Sequence, residues 1–532
     1  ISPDLSTNDP EKQKQSESGG LSMDATGAEN HTTILVIEPS EVEKDMLWAG
    51  TDDGRVHYTT NGGNSWTDVS KNLKGLPEGS WIAQIKASNK TKGEALLIAN
   101  DYRRFNYTPY AYRTKNYGKT CERIVDQNDV HSYTLAIVED LEEPNLMFLG
   151  TDDGLYMSLN SGEKWTKWTE GFPTTSVKDL VIHPREHDLV IGTFGRAAWI
   201  LDDIRPLREL AKNTTVLNSN IKLFEPPIGY QAAYQQPTGT RFGADAIYQG
   251  ENRDGGARFR YFFNKKDMPI SDESEVDTEK EETKVKWDSL TLKLYDGERL
   301  IRTLKTKAPK ENGIHNWTWY MDEAGVNRPS RTIRKQTREP GGVSVKPGSY
   351  RAVLHYGDLM SETMVKVKSD PRLEISQKNI DEVYSSGKQL EQMQATAADA
   401  VKQLVESKII AETYEKNLSK LDKKTYNTEI EASKTIVKSI DSLVDKYLGK
   451  VDKRQGITRN PEITPLQRLS TASYYVSESQ TGLTSTENTL IKHAKDALDQ
   501  LLGETNLFFT KDWATYQSSL KDVKMNPFKE IK

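Results

Sequence analysis

The sequence is poor in the residues that build disulfides and metal sites. Its 532 residues include one cysteine, Cys121, which excludes a disulfide within the chain. The eight histidines form no HExxH pair and no other spacing typical of metal ligands. No GxSxG elbow, phosphate loop or dinucleotide fingerprint is present either. These absences predict no metal, no cofactor and no catalytic residue of the kinds that such motifs identify.

Long apolar runs and an excess of positive charge are also missing. No apolar stretch approaches the roughly 18–20 residues that cross a membrane, so the sequence predicts no transmembrane segment. The 72 basic residues are outnumbered by 78 acidic ones, and the net charge of −6 argues against a nucleic-acid partner. The chain is long enough for about three domains. The scarcity of cysteine fits a cytosolic protein and equally an exported bacterial one.

What the sequence does contain is a repeat. The segments GTDDGRVHYTTNGGNSW (50–66) and GTDDGLYMSLNSGEKW (150–165) share a start, a turn and a final tryptophan. A third copy lies between them and has Cys121 in place of the tryptophan. Each copy has a turn nucleus of a hydroxyl residue, an asparagine and a glycine at alternate positions, followed in two copies by tryptophan: Thr59, Asn61, Gly63 and Trp66; Thr114, Asn116 and Gly118; Ser158, Asn160, Gly162 and Trp165.

The repeat predicts a β-propeller. Short apolar segments containing Gly50, Ala99, Gly150 and Gly192 recur at intervals of 49, 51 and 42 residues. A period near that length, built from short strands, is typical of propeller blades. Four blades are fewer than a closed propeller usually has, and the chain opens with a polar stretch and no packed element. We therefore expect about four blades here, completed by an upstream half of the same protein.

The turn nucleus is interpreted as a folding device. Its hydroxyl and amide oxygens can accept hydrogen bonds from backbone N–H groups, and its glycine supplies a positive φ. The tryptophan then has a fixed place to pack, which we expect to lie between neighbouring blades. The pattern resembles the Asp-box, or bacterial neuraminidase repeat, with asparagine in place of aspartate. Asparagine can make the same acceptor contact, so the turn is expected to form.

Beyond the repeat, the pattern changes twice. Several short alternating segments separated by turn signals predict an immunoglobulin-like β-sandwich. Apolar residues at heptad spacing, such as Leu390, Ala397 and Leu404, then predict an antiparallel helical bundle. The expected fold is multidomain and mainly β with an α tail: a linker (1–30), propeller blades (31–205), a connector (206–242), the sandwich (243–375) and the bundle (376–532). The acidic segment 271–283 is interpreted as a solvated loop and not as a cation site.

Candidate binding residues concentrate in the segment YRRFNYTPYAY (102–112). We expect this segment to lie on a loop, where tyrosine and arginine make good anchors for a partner. We favour the other interpretation, in which its tyrosines belong to blade packing. The candidates are Tyr102, Arg103, Arg104 and Tyr107, together with Arg196 from the later motif GTFGRAAWILDD.

Acidic and arginine residues also invite a comparison with sialidases. A sialidase needs arginines that converge on a carboxylate, a tyrosine nucleophile and an acid. Arg123, Tyr102 and Glu139 are available, but no motif fixes them together. Adjacent residues on a strand point to opposite faces, which is poor for sharing a proton or a calcium ion. We therefore interpret three acidic pairs as structural: Asp52 with Asp53, Asp152 with Asp153, and Asp202 with Asp203.

Taken together, these motifs resemble those of exported bacterial proteins with sortilin-like, Asp-box-repeat propellers, of the Bacteroidota type. The resemblance covers nearly the whole chain and rests on ISPDLSTNDP, both GTDDG segments, GTFGRAAWILDD, PGGVSVKPGSY, the DPR at 370–372 and the helical tail. Phe194 departs from it, since the family commonly has histidine there. Arg196 matches the family's arginine, which either points into the propeller or pairs with Asp202 or Asp203. The resemblance implies an exported protein, in the periplasm or at the cell surface with the outer membrane.

Two functions follow as hypotheses. The first is a non-enzymatic scaffold or receptor-like protein that binds outer-membrane or secreted proteins through propeller and sandwich loops, as part of an outer-membrane or secretion-associated complex. The second is a glycan-active protein, either a sialidase-like hydrolase or a lectin-like binder, that uses the propeller face. A hydrolase requires two carboxylates roughly 5–10 Å apart in a cleft. A scaffold instead requires an exposed apolar or Tyr/Arg patch. A third hypothesis makes the helical tail the docking element.

Overall fold

The computed structural model is mainly β, with many small antiparallel sheets and a C-terminal helical region. It describes residues 2–13, 31–232, 253–265, 288–333, 338–421, 423–451, 463–521 and 523. The chain divides into two units, residues 1–219 (unit 1) and 220–532 (unit 2). The acidic segment 271–283 lies outside the described residues. Among the helices of the described ranges, none is long and apolar enough to cross a membrane.

Unit 1 contains four antiparallel sheets, each formed by consecutive strands. Sheet 1 consists of β1 (Ile34–Pro39), β2 (Leu47–Thr51), β3 (Val56–Thr59) and β4 (Thr67–Asp68). Sheet 2 consists of β5 (Trp81–Ala87), β6 (Ala95–Asp101), β7 (Asn106–Thr114) and β8 (Glu122–Arg123). Sheet 3 consists of β9 (Thr134–Glu139), β10 (Met147–Thr151), β11 (Gly154–Ser158) and β12 (Thr166–Lys167). Sheet 4 has three strands, β13 (Ser176–Ile182), β14 (Leu189–Phe194) and β15 (Ala198–Leu201).

Apolar side chains between successive sheets form the core of unit 1. The first strand of each sheet contacts the first and second strands of the sheet before it. Trp48 of sheet 1 and Ile85 of sheet 2 share one core cluster, and Ile98 of sheet 2 shares the next with Ile137 of sheet 3. Burying each such side chain contributes about 1.5–3 kcal/mol. Successive sheets packed through their first strands are arranged as neighbouring propeller blades are.

The turn nuclei form the predicted backbone contacts. Thr59 Oγ1 accepts a hydrogen bond from the Gly63 amide at 3.1 Å, and Asn61 Oδ1 accepts one from the Ser65 amide at 3.0 Å. The other two copies repeat both contacts with closely similar distances. Gly63 has a φ of 92°, in the left-handed region that favours glycine. The hydroxyl and the amide oxygen therefore close each turn between the third and fourth strands.

The two tryptophans of the turn nuclei differ in their packing. Trp165 is buried among residues of sheets 2 and 3, and its Nε1 donates to the Ile124 carbonyl oxygen at 2.8 Å. Trp66 is only half-buried, and its Nε1 donates to Gly63 of its own turn at 3.2 Å. The predicted packing between neighbouring sheets is therefore found for Trp165 but not for Trp66. Cys121, in the third copy, is half-buried, and burial raises the pKa of its thiol to about 11.

The prediction of a loop over residues 102–112 is wrong for most of its length. Only the first residues form a turn, because β7 begins at Asn106. Tyr110 and Tyr112 are buried in the core between sheets 1 and 2. Tyrosine is common in strands and also at binding surfaces, so composition alone did not separate the two roles.

A short helix, α1 (Arg205–Lys212), follows sheet 4 within the predicted connector. Its Arg208 side chain is 8% exposed and donates through Nε to both carboxylate oxygens of Asp140, at 2.7 and 2.8 Å. The Asp140 side chain is fully buried in the turn between β9 and β10. Arg208 also contacts Glu142 and His187. These contacts fix α1 to sheets 3 and 4.

The described residues of unit 2 begin with ten strands in three sheets. Apolar side chains of the two larger sheets share one core, which includes Phe259, Leu292 and Trp319. The strands are β16 (Ile221–Leu223), β17 (Gly229–Gln231), β18 (Ala257–Phe263), β19 (Ser289–Asp296), β20 (Arg299–Lys307), β21 (Gly313–Trp319), β22 (Asp322–Ala324), β23 (Gly341–Ser344), β24 (Gly348–Tyr356) and β25 (Leu359–Ser369). The sheet orders are β17-β25-β24-β19-β20, β16-β18-β21 and β22-β23.

The helical region of unit 2 follows these strands. Its helices are α2 (Gln377–Leu421), α3 (Asn427–Leu448), α4 (Pro465–Glu478), α5 (Ser485–Leu507) and α6 (Ala514–Ser519). The heptad residues Leu390, Ala397 and Leu404 are buried on α2. Thr464 caps α4 in a reciprocal pair with Gln467, and Pro465 occupies the first turn of the helix. A π-helical segment, Phe508–Trp513, joins α5 to α6.

A buried carboxylate links α2 to the strands of unit 2. Glu323 on β22 is 4% exposed and accepts from Arg299 at 2.9 Å, from the Tyr384 hydroxyl at 2.7 Å and from Lys388 at 3.3 Å. Burial opposes ionisation of this carboxyl, but these donors outweigh it and lower the pKa of Glu323. The charged network therefore sets the position of the N-terminal part of α2.

Replacing Arg208 with alanine should destabilise unit 1 by about 3–5 kcal/mol, because the carboxylate of Asp140 would be left buried without its partner. Hydrogen exchange of the β6 and β10 amides in urea measures this loss for unit 1 alone. Arg185→Ala is the matched control, since the Arg185 side chain is 81% exposed and its loss should change stability by less than about 0.5 kcal/mol. Equal effects of the two substitutions on stability would show that the buried ion pair of Arg208 and Asp140 does not stabilise unit 1.

Candidate binding site

Connections on one side of unit 1 bring the candidate residues together. In an antiparallel meander, the turn between the second and third strands lies at the same end as the connection into the next sheet. Both GTDDG turns, the Tyr102–Arg104 turn and the Gly195–Arg196 turn therefore lie on one side, which we call the loop face. The turn nuclei lie at the opposite end of the strands.

An aromatic cluster lies on the loop face, formed by Trp81, Tyr102, Arg103, Tyr107 and Tyr133. The Arg103 guanidinium carbon lies 3.0 Å from the ring centroid of Trp81 and 4.7 Å from that of Tyr102. The rings of Tyr102 and Tyr133 stack with centroids 4.5 Å apart and planes 19° apart. Tyr107 lies 6.1 Å from Tyr133. The cluster joins side chains of sheets 2 and 3 with an arginine held between aromatic faces.

The outer part of the aromatic cluster is exposed. Tyr107 is 54% exposed, and the neighbouring Phe105 is 75% exposed. Phe105 has a φ of 59°, because it ends the short 3₁₀ turn Tyr102–Arg104 in the left-handed region. The turn is held by Arg104, whose Nε donates to Asp101 at 2.6 Å and whose Nη2 donates to the Glu78 carbonyl at 2.7 Å. Two large apolar side chains thus project from a fixed backbone.

Tyr133 ties the aromatic cluster to the acidic turn of sheet 3. Burial, followed by a hydrogen bond to Asp152, raises the pKa of the Tyr133 phenol well above its usual value. The phenol therefore stays protonated at neutral pH and donates to the Asp152 carboxylate. This bond connects the stack of Tyr102 and Tyr133 to the β10–β11 turn.

Arg196 does not join the aromatic cluster. It lies on the exposed turn between β14 and β15 of sheet 4, and its carbonyl oxygen accepts from Trp199 Nε1 at 2.9 Å. Asp203, one of its proposed partners, is bound instead by Arg205 at 2.6 Å. Of the predicted binding residues, Tyr102, Arg103 and Tyr107 therefore lie in the aromatic cluster. Arg104 does not belong to the cluster but holds its turn in place through Asp101 and Glu78. Arg196 lies outside the cluster, on sheet 4.

Trp81, Tyr133 and Phe105 were not singled out from the sequence. Trp81 begins β5, and Tyr133 directly precedes β9, so both stand where a chain enters the first strand of a sheet. Trp81 and Tyr133 therefore occupy corresponding positions in two copies of the repeat, so an alignment of the copies could have identified them together. Their contact with Tyr102 depends on the packing of sheet 3 against sheet 2, which the sequence does not give.

The acidic pairs on the loop face are engaged in structural contacts. Asp52 accepts from the Thr33 amide at 2.8 Å, and Asp53 accepts from the Thr7 amide at 2.6 Å. Asp153 accepts from Lys167 Nζ at 2.9 Å and from the Thr151 hydroxyl at 2.7 Å. These bonds attach the N-terminal segment and the outer strand to the turns. In the described part of the chain, no three histidine, cysteine or acidic side chains group as a metal site.

Comparisons with known proteins identify no family. No protein-family model and no curated protein matches this sequence. Weak structural similarity extends over about a third of the chain. The computationally designed Ika4 protein has 13% identity and a TM-score of 0.23, covering 32% of this chain and 91% of that protein.

Two natural proteins show similarity of the same order. A GH74 xyloglucanase from Xanthomonas campestris has 16% identity and a TM-score of 0.27, covering 32% of this chain and 29% of that protein. YCF48 from Cyanidioschyzon merolae has 16% identity and a TM-score of 0.22, covering 32% of this chain and 56% of that protein. The chain therefore spans well under two thirds of either natural protein. At these TM-scores, the similarities support no conclusion about the function of this chain.

Replacing Asp153 with asparagine should reduce stability at neutral pH by on the order of 1 kcal/mol, since it weakens the contact with Lys167. Burial opposes ionisation of Asp153, but hydrogen bonds from Thr151 and Lys167 lower the pKa of its carboxyl. The stabilisation is therefore present above the unfolded pKa of about 4 and is lost as pH falls through the lower folded value. Urea unfolding at pH about 7 and about 3 should show the difference from the parent narrowing in acid.

Glu163→Gln serves as the control for this comparison, because Glu163 is exposed in the next turn along the chain, at the opposite end of β11. It should leave stability unchanged at both pH values. A difference for Asp153→Asn that stays constant with pH would show that the carboxylate charge does not contribute.

Proposed function

We propose that this chain is a non-enzymatic scaffold or receptor-like protein that binds protein partners through the loop face of unit 1 and the sandwich loops of unit 2. The aromatic cluster carries this proposal. Its exposed members, Tyr107 and the adjacent Phe105, project from a base of stacked rings and a fixed turn. Exposed aromatic residues beside arginine are the residue types that contribute most at protein interfaces. A rigid base lowers the entropy cost of binding through such side chains.

The proposed architecture is a partial β-propeller, an immunoglobulin-like sandwich and an antiparallel helical bundle. The consecutive four-stranded meanders and their packing through first strands support the propeller. The core shared by two sheets of unit 2 supports the sandwich. Sequential helices joined by short connections, such as α2 and α3, support the bundle. The remaining blades of the propeller come, in this proposal, from an upstream half of the same protein.

The proposed location is the periplasm or the cell surface, in association with the outer membrane. It rests on the sequence resemblance to exported Asp-box proteins with sortilin-like propellers. The partners would accordingly be outer-membrane or secreted proteins. Recovery of the native protein from separated periplasmic, outer-membrane and cytoplasmic fractions tests this location.

The glycan-active alternative has weaker support. A hydrolase would need two free carboxylates facing a cleft. On the loop face, Asp52, Asp53 and Asp153 instead accept hydrogen bonds from the backbone, hydroxyl groups or lysine. A lectin-like binder would still have the aromatic cluster available. A glycan array and a sialidase assay on the full chain therefore belong to the test of function.

The scaffold proposal is tested by crosslinking the full chain to cell-envelope proteins of the organism that produces it. The amount of crosslinked partner is compared with that recovered by the double variant Phe105→Ala/Tyr107→Ala. Each lost aromatic anchor is expected to cost about 1–2 kcal/mol, so recovery of partners through the loop face should fall at least roughly tenfold. Tyr474→Ala is the matched control, because Tyr474 is a 62% exposed aromatic residue on helix α4, away from the propeller and sandwich loops. It should leave recovery unchanged.

Three results would contradict the scaffold proposal. Equal recovery with both variants would show that the aromatic cluster is not the contact. Selective binding on the glycan array that the double variant loses would favour the lectin-like alternative. Hydrolysis of a sialoside by the full chain would make the protein an enzyme.

A further inference from the structure

In the residues that the structure describes, sheet 4 has three strands where each of the other three sheets has four. In sheet 1, Tyr58 on β3 pairs with Thr67 on the outer strand β4, and in sheet 3, Met157 on β11 pairs with Thr166 on β12. Sheet 2 has the same outer strand. By register, Ile200 on β15 corresponds to Met157. Across the ranges that the structure describes, no strand pairs with the outer edge of β15.

One face of sheet 4 is also uncovered. Val181, Val190 and Ile200 lie side by side across its three strands. Val181 is 51% exposed and Ile200 is 60% exposed. The corresponding row of sheet 3 has Phe148 at its centre, and Phe148 is fully buried. An apolar row that faces solvent in sheet 4 is therefore a contact surface in sheet 3.

The face of sheet 1 that points away from sheet 2 is exposed in the same way. Ile37 occupies on β1 the register position that Ile85, Ile137 and Leu180 occupy in sheets 2, 3 and 4. Those three side chains are at most 1% exposed because each packs against the preceding sheet. Ile37 is 61% exposed.

The turn nucleus of sheet 1 is uncovered on the same side. A Cβ at Gly118 or Gly162 would contact Val69 or Ile124, which follow the outer strand of the preceding sheet. A Cβ at Gly63 would meet only Trp66 of its own turn. Within the described part of the chain, sheet 1 therefore lacks the preceding sheet that sheets 2 and 3 have.

We infer that one further polypeptide segment carrying the same repeat pairs with β15 as the missing outer strand of sheet 4. It then continues as the first strand of a new sheet that packs on Val181 and Ile200. Its last sheet covers Ile37 and places an aliphatic residue on Gly63. This inference deepens the proposed propeller, since it names where the completing segment enters and where it ends.

The connections within unit 1 support a single continuous segment. Each outer strand runs directly into the first strand of the next sheet, through 12 residues after Asp68, 10 after Arg123 and 8 after Lys167. A segment that provides the outer strand at β15 therefore reaches the uncovered face of sheet 4 within a similar length. Backbone pairing with an open strand edge gives affinity, and the side-chain row gives specificity.

The occupant has a recognisable chemistry. We expect a turn nucleus, a two-residue outer strand, a connection of about 8–12 residues on the pattern of the three in unit 1, and then a strand with an aliphatic residue at the Ile137 position. A second copy of this chain would not supply the β15 strand, because its own first strand, β1, starts a sheet and follows no outer strand among the described residues.

The test uses the full chain alone and the full chain recovered with its partner from the source, with hydrogen exchange of β15 and crosslinking from Lys178 on β13. The expected result is that β15 amides which exchange freely in the chain alone slow by at least about 100-fold in the complex. The segment crosslinked to Lys178 should carry the sequence pattern described above.

The variant Ile200→Lys separates the surface from folding. Ile200 is already exposed, so the variant should fold with unchanged circular dichroism and lose at least about 90% of partner recovery. Ile314→Lys is the control, since Ile314 is an exposed strand isoleucine of unit 2 and should retain full recovery.

The outcomes distinguish this inference from the proposed propeller. Protection at Ile37 with β15 still open would overturn the strand placement and leave the propeller standing. Crosslinks from Lys178 to a second copy of this chain would overturn the named occupant. Absence of protection at both faces in the native complex would overturn the inference and the propeller together.

Discussion

The packing of each first strand against the preceding sheet is the contact on which unit 1 depends. Ile85, Ile137 and Leu180 are buried by it, and the sheets line up through it. It also explains a glycine of the repeat. A Cβ at Gly50 would lie 2.6 Å from Ile82, and one at Gly150 would lie 2.7 Å from Val177. The first glycine of each GTDDG segment, Gly50 or Gly150, is therefore needed because the next sheet packs directly onto the strand that contains it.

Features that depend on short-range sequence were predicted well. The turn nuclei form because their donors and acceptors lie within four residues of each other. The heptad residues of α2 are buried because helical geometry fixes which positions share a face. Tyr102, Arg103 and Tyr107 were predicted as binding residues from composition; the structure brings them into one cluster, and their binding stays a prediction.

Features that depend on neighbouring elements were missed. The aromatic cluster is completed by Trp81 and Tyr133, which approach Tyr102 only after two sheets have packed together. The segment after Phe105 was assigned to a loop because tyrosine serves both strands and surfaces, and the burial of Tyr110 decides between them. Helix α1 was missed because it is short, and its position depends on a buried ion pair with a residue of sheet 3.

Cys121 has a consequence for how the chain behaves in different redox conditions. Because burial raises the pKa of its thiol to about 11, only about one molecule in ten thousand carries a thiolate there at pH 7. The single thiol of these 532 residues is therefore slow to react with oxidants or with disulfides of other proteins. No disulfide within these 532 residues can form or break when redox conditions change, and an engineered surface cysteine would be the one that alkylating probes label first.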